Sequence, residues 1–252
     1  MPNELCHWCQ LNQMEANPKK FQALIADNDN VNVEISESVT IRSEKFVKLL
    51  GIDLDYKLDF NNHLNKIVKK ASQQLNCLKR VAYSLDVKTK LLLYKSFVLS
   101  NFNYCPAVWH HCGAKNTMKL EKVQFRALKF VFRDYSSSYD TLLKRAKLPS
   151  LELSRLRSIA IEVYKAFYKY SPKYVSDIMT PNQTPYNLRS RDTIKLESNR
   201  TKRFGIHSFR HTGATIWNSL PSEMRSNSDF NTFKKQIKSW TGVSCKCTMC
   251  RS

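Results

Sequence analysis

Cysteine, aspartate and the basic residues occur in this sequence at spacings that chemistry uses. Cys6-x-x-Cys9 near the start and Cys245-x-Cys247-x-x-Cys250 near the end set thiols at zinc-ligand separations. Tetrahedral zinc takes four ligands, and neither cluster has four of its own. His207 and His211 stand four residues apart, and one of them would complete the second set: Cys245, Cys247, Cys250 and His211 form a candidate zinc site. The opposing reading is a reduced, metal-free tail, with Cys6 and Cys9 packing on a first helix. Asp53-x-Asp55 is a second pattern, because residues i and i+2 of a strand point the same way and two carboxylates can share a cation. Only Asp59 stands near as a further acid, and no phosphate-binding glycine loop or general base accompanies the pair, so strand-end or turn carboxylates are the simpler expectation. His110-His111 follow an apolar segment ending in Trp109 and read as structural. No Ser, Cys or His arrangement makes a nucleophile, and neither a P-loop nor a dinucleotide glycine fingerprint is present.

The third pattern is cationic. Lys122, Arg126, Lys129 and Arg133 fall at i, i+4, i+7 and i+11, one face of a helix, while Leu120, Val123, Ala127, Phe130 and Val131 take the other. Such a row can track a phosphate backbone, each neutralised phosphate adding salt-sensitive affinity. The plainer reading is the solvated face of an amphipathic helix. The rest of the chain tips the balance towards binding. It carries 41 Lys+Arg against 21 Asp+Glu, net +20, with a pI near 9.7. Residues 1–44 hold 3 basic and 7 acidic side chains, so the remainder holds 38 and 14, net +24. A field of that sign attracts nucleic acid or anionic lipid.

The elements that position these residues follow from composition and period. At 252 residues, 42% hydrophobic and 11% aromatic, the chain can bury a core without disulfide staples and is not of the disordered class. Its eight cysteines read as reduced thiols, with Cys77, Cys105 and Cys112 as small core residues. Met1-Pro2-Asn3-Glu4 begins no signal peptide, and the longest apolar run, Leu91 to Leu99, is broken by Lys95, so no membrane partner is expected. A short helix is predicted over 4–16, then an apolar-rich run over 21–26 and strands over 31–35, 39–41 and 46–54, with Gly51 a bend. The period then changes from two to 3.6. Leu64, Ile67, Ala71, Leu75, Leu78 and Ala82 line one helix, and Asp86 caps the next, whose apolar positions include Leu91, Leu92, Phe97 and Val98. Further helices are expected over 116–133, 141–146, 151–170 and 229–240, with a proline-containing loop at 180–185 and a mixed stretch over 204–217.

The order of these segments resembles the C-terminal part of the reverse transcriptases of non-LTR (LINE-type, jockey-like) retrotransposons. Trp8, Asn12, Met14 and Ala16-Asn17-Pro18-Lys19-Lys20-Phe21-Gln22 resemble the end of that family's palm. Leu49-Leu50-Gly51-Ile52-Asp53-Leu54-Asp55, with Leu58, Phe60 and His63, resembles the strand pair that leads into the thumb. Tyr104-Cys105-Pro106-Ala107-Val108-Trp109 and Leu120-x-x-x-Gln124-x-Arg126-Ala127-Leu128 are similar to thumb segments. Tyr186-x-Leu188-Arg189-Ser190, Phe204-Gly205, Gly213-Ala214 and Trp217-Asn218-x-Leu220-Pro221 are similar to the region that follows.

The resemblance implies an α+β fold in three parts: a palm remnant over 1–60 with short antiparallel strands, a helical thumb-like bundle over 61–178, and a small mixed segment over 179–252. It implies that Lys20 matches the palm lysine near the leaving pyrophosphate, and that Leu50, Gly51 and Ile52 match the hairpin that steadies the primer end. The basic row would then grip an RNA or RNA–DNA duplex. The family's catalytic aspartates, one early in the palm and a pair in a Phe/Tyr-x-Asp-Asp turn, are expected upstream of Met1, so the chain is expected to be a catalytically incomplete fragment. On that reading Mg²⁺ belongs to the parent polymerase, the fragment needs no cofactor, and the upstream palm is a further partner. The rival expectations are a domesticated protein-interaction module and a zinc-stabilised DNA-binding factor. An intracellular location, nucleus or cytoplasm, is as far as the sequence goes.

Overall fold

The computed structural model of the chain describes residues 2–15, 17–28, 30–36, 39–182 and 192–242. The chain is α+β and divides into two compact units, residues 1–66 and 67–252. The expected boundary near residue 60 falls six residues early, because the division lies inside a continuous helix. The boundary expected near 178 lies within the second unit, whose elements on either side of it share one core.

In the first unit, helix α1 (Pro2–Leu11) lies against β1 (Asn32–Ser36), which pairs antiparallel with β2 (Val39–Arg42). The stretch over 46–54 is a hairpin, β3 (Phe46–Leu49) and β4 (Ile52–Asp55), with Leu49 opposite Ile52. Its two-residue turn, Leu50-Gly51, takes φ of +46° and +86°, both positive as a tight hairpin matched to strand twist requires. Asp55 organises the exit from the hairpin. Its carboxylate accepts the backbone N–H of Lys57 (3.1 Å), Asp59 (3.0 Å) and Phe60 (2.7 Å). Those bonds hold Leu58 and Phe60 in left-handed conformations, which disfavour any residue with a Cβ.

Helix α2 (Asn61–Val81) follows, with Leu64, Ala71, Leu75 and Leu78 buried at the expected spacing. In the second unit, α3 (Val87–Leu93) starts at Asp86, whose carboxylate accepts the N–H of Lys88 and Thr89, as the sequence predicts. It runs on through a wider turn at Tyr94–Val98, where Tyr94 and Val98 are buried and Leu92 and Phe97 face outwards, 63% and 57% exposed, against expectation. After α4 (Pro106–Trp109) come α5 (Ala114–Phe132), α6 (Tyr139–Ala146), α7 (Leu151–Phe167) and α8 (Lys173–Ser176). The stretch over 204–217 is a wide turn at Lys202–Ile206 followed by α9 (Phe209–Ser219), started by the Ser208 hydroxyl; then come α10 (Ser222–Arg225) and α11 (Phe230–Gln236), which Asp229 caps as expected.

Helices α5, α6 and α7 end on a left-handed turn at Arg133, Lys147 and Lys169. The following N–H reaches back to Lys129, Leu143 and Lys165 respectively. This is the usual closing geometry of a helix, made without glycine and with a cation at the negative end of the helix dipole. It cuts α7 at Phe167, short of the expected Tyr170.

The core of this unit gathers around α7 and α9. Tyr164 stacks on Phe233 at 4.3 Å between ring centres, Trp217 lies 4.9 Å from Phe167, and both Tyr164 and Trp217 are fully enclosed. Their polar atoms are satisfied, Tyr164 Oη donating to Asn227 O and Trp217 Nε1 to Asp192 O. Gly213 makes the approach possible, since a Cβ there would lie 2.7 Å from Val163 Cγ2. Gly213→Val is expected to destabilise the protein by about 2 kcal/mol or more through overpacking, read as a lowered midpoint in urea unfolding. An unchanged midpoint would mean that α7 and α9 do not depend on this contact.

Candidate nucleic-acid interface

The apolar face of α5 is as predicted: Leu120, Val123, Ala127, Phe130 and Val131 are buried. On the outer face Lys122 and Arg126 are exposed, and Lys129 lies half-buried with its Nζ 4.1 Å from the centre of the Phe125 ring. Arg133 departs from the helical wheel. The helix ends at Phe132, and Arg133 is the left-handed residue that closes it.

What holds these cations is neutral. Arg126 Nη2 donates to Ser72 Oγ at 3.0 Å. Arg133 Nη2 donates to the carbonyl of Tyr83, and its guanidinium lies 4.9 Å over the Tyr83 ring. Both partners belong to α2 or the turn after it, so the row on α5 adjoins a second set of cations, Lys69, Lys79 and Arg80. The apolar period of α2 masks this second set in the sequence, although Lys69, Ser72, Lys79 and Tyr83 recur at helical spacing. Among the described residues, none of the four predicted cations is ion-paired to a carboxylate. Among the described residues, the ion pairs of this unit join Arg145 to Asp134, Lys165 to Glu162 and Arg210 to Glu197. Arg126, Lys129 and Arg133 therefore keep their charge while neutral groups order them.

The family-derived positions lie in the first unit. Lys20 ends a single turn over Pro18–Lys20 and is exposed. Leu50 and Gly51 form the exposed tip of the β3–β4 hairpin, whereas Ile52 is buried beneath it. Asp53 and Asp55 do not form a metal pair: Asp53 binds Lys66 at 2.8 Å and Asp55 caps the turn described above. His63 beside them is buried, which lowers its pKa, and its Nδ1 faces the Asp53 N–H at 3.4 Å, so the ring is neutral.

Of the candidate zinc ligands, Cys245, Cys247 and Cys250 lie outside the described residues. Among the described residues, no group of three or more His, Cys, Asp or Glu side chains is arranged to hold a metal ion. Cys112 is buried as expected, but Cys77 and Cys105 are exposed: Cys77 lies on the outer face of α2, and Cys105 takes a left-handed turn before α4.

His211 belongs to a different cluster. His111 stacks on His207 at 4.9 Å with an interplanar angle of 12°, and His110 meets His111 edge-on at 4.9 Å. His111 Nε2 lies 2.6 Å from Thr212 Oγ1, which in turn donates to the carbonyl of Ile206, so Nε2 carries the proton. Burial, with His207 and His211 near by, pushes the His111 pKa down to about 4. Burial, and Arg155 after it, holds His110 well below the usual histidine range. His110 is buried and His111 half-buried, each in ring contact with a neighbouring histidine.

Compared with known proteins, the chain matches no family model, no curated protein and no solved structure.

The cluster makes stability depend on pH. A histidine whose pKa is lower folded than unfolded adds stability above about 6.5 that is lost as pH falls towards 4, because the unfolded chain takes the proton first. For His111 the loss expected at pH 5 is about 2 kcal/mol. Urea unfolding at pH 7.5 and pH 5 should show it, and His111→Gln should flatten the difference. The same pH dependence in that variant would place the titrating groups elsewhere.

Proposed function

We propose that this chain binds RNA or RNA–DNA duplex, without sequence preference, through phosphate contacts. The observation that carries the reading is the row on α5 and its closing turn: Arg126, Lys129 and Arg133 rest on neutral partners and Lys122 is exposed beside them, with the basic last turn of α2 near by. Cations fixed in place and left without a counter-charge favour an anionic polymer. The net +24 of residues 45–252 supplies the long-range attraction. The ordered resemblance to retrotransposon reverse transcriptases supports the same partner. On that reading the chain corresponds to the end of a palm, a thumb and the segment after it, and the Mg²⁺-holding aspartates belong to a longer parent polypeptide.

A protein-docking module is the second reading, and it rests on Leu92 and Phe97, apolar side chains exposed along one continuous helical stretch. Salt separates the two. Duplex affinity should fall steeply between about 50 and about 200 mM salt, whereas apolar docking should change little. Replacing Lys122, Arg126 and Lys129 together by Gln should flatten the log–log salt slope by about 2 to 3 and weaken low-salt binding about tenfold or more. Wild-type affinity and slope in the triple variant would remove the α5 row from the interface. A primed template incubated with the chain and Mg²⁺ or Mn²⁺ should yield no extension product. A processive product would mean that the chain holds its own catalytic carboxylates.

A further inference from the structure

Tyr83 stands between α2 and α3 with its ring in solvent, 70% exposed, although the Arg133 guanidinium covers one face at 4.9 Å. An aromatic ring that is covered on one side and still this exposed has its other face open. Its backbone is held with unusual firmness for a connecting turn. The Tyr83 carbonyl accepts from Arg133 Nη2 and also, at 3.0 Å, from Lys90 Nζ. Lys90 is itself 1% exposed, its ammonium 5.3 Å from the centre of the Phe130 ring. Two cations therefore converge on one carbonyl. The acids near by in sequence are engaged: Asp86 caps α3, and Asp134 binds Arg145 and the Ser136–Ser137 turn. Lys79 and Arg80 lie in the basic last turn of α2, four and three residues before Tyr83.

An exposed ring backed by Arg133 and close in sequence to Lys79 and Arg80 fits a ligand that is planar, aromatic and negatively charged at once. We propose that Tyr83 is a stacking platform for an unpaired nucleobase, with Arg133 behind the ring and the neighbouring cations meeting the phosphates on either side. The inference rests on the nucleic-acid reading above and deepens it: the α5 row would hold paired strands, and the turn at its end would hold the first unpaired residue. The immobilised turn lowers the ordering cost of such contact, and Arg133 adds a cation–π interaction to the stack. Stacking carries little base preference, since every base has a π-face.

The test compares two probes on the full chain at one salt concentration by fluorescence anisotropy. One is a blunt RNA–DNA duplex, and the other is the same duplex with a single-stranded RNA extension of about four nucleotides. The wild type should bind the extended duplex about fivefold or more tightly than the blunt one. Tyr83→Ala should abolish that gain, read as the ratio of the two affinities because the ring also orders Arg133 of the duplex-binding row. Tyr83→Trp should keep the gain, and the extended probe alone should quench the added tryptophan. Equal affinity of the wild type for both probes, or a gain that survives in Tyr83→Ala, would overturn the platform while leaving duplex binding intact. Binding of the single-stranded extension alone, with the blunt duplex ignored, would support the platform and sink the duplex reading. Binding of neither probe would end both. Should Tyr83→Ala melt early, the Tyr83→Trp quench decides.

Discussion

At Gly213 the backbone of α9 runs so near α7 that a Cβ would lie 2.7 Å from Val163 Cγ2 and 2.9 Å from Met179 Cε. Much of the second unit follows from that approach. One turn further along α9, Trp217 enters the aromatic cluster of Tyr164, Phe167 and Phe233. Tyr164 on α7 and Tyr168 just after it donate to the backbone carbonyls of Asn227 and Arg225, which ties down the chain between α9 and α11. One residue before Gly213, the Thr212 hydroxyl meets His111 and so fastens the loop after α4. A rigid scaffold of this kind lets another surface of the same unit hold charged side chains in place.

The basic surface shows how a protein keeps cations both ordered and available. An ion pair would order an arginine but would also neutralise it. Hydroxyls, carbonyls and ring faces order it and leave its charge to the solvent. Arg126 on Ser72, Arg133 on Tyr83 and Lys129 on Phe125 are three versions of that solution on one side of one helix.

The sequence disclosed most where one physical rule acted alone. The apolar period of α2, the Asp86 cap and the helix start at Asp229 are local facts, and the structure repeats them. It disclosed less where tertiary contacts decided. The 204–217 stretch contains two glycines, which weaken any helix prediction, yet α9 forms because Gly213 is needed for packing. Leu92, Phe97 and Val98 read as core, and Val98 is, but the wider turn at Tyr94–Val98 changes the helical phase, Tyr94 points inwards and Leu92 and Phe97 face out. Of the candidate site, the four cations were legible from spacing. Their neutral partners on α2, and Tyr83 above all, were not, because they come from a segment some fifty residues away.

The left-handed residues that close α5, α6 and α7 carry a last consequence. Glycine is the cheaper occupant of such a position in the folded state, but it is also the residue with the most conformations to lose from the unfolded one. This chain has only five glycines and uses Arg133, Lys147 and Lys169 instead. The strain of about 1 kcal/mol at each position is offset by an unfolded ensemble narrowed by a comparable amount. The exchange is close to neutral in stability, and its net product is electrostatic: three helix ends that would otherwise present bare carbonyl dipoles present positive charge.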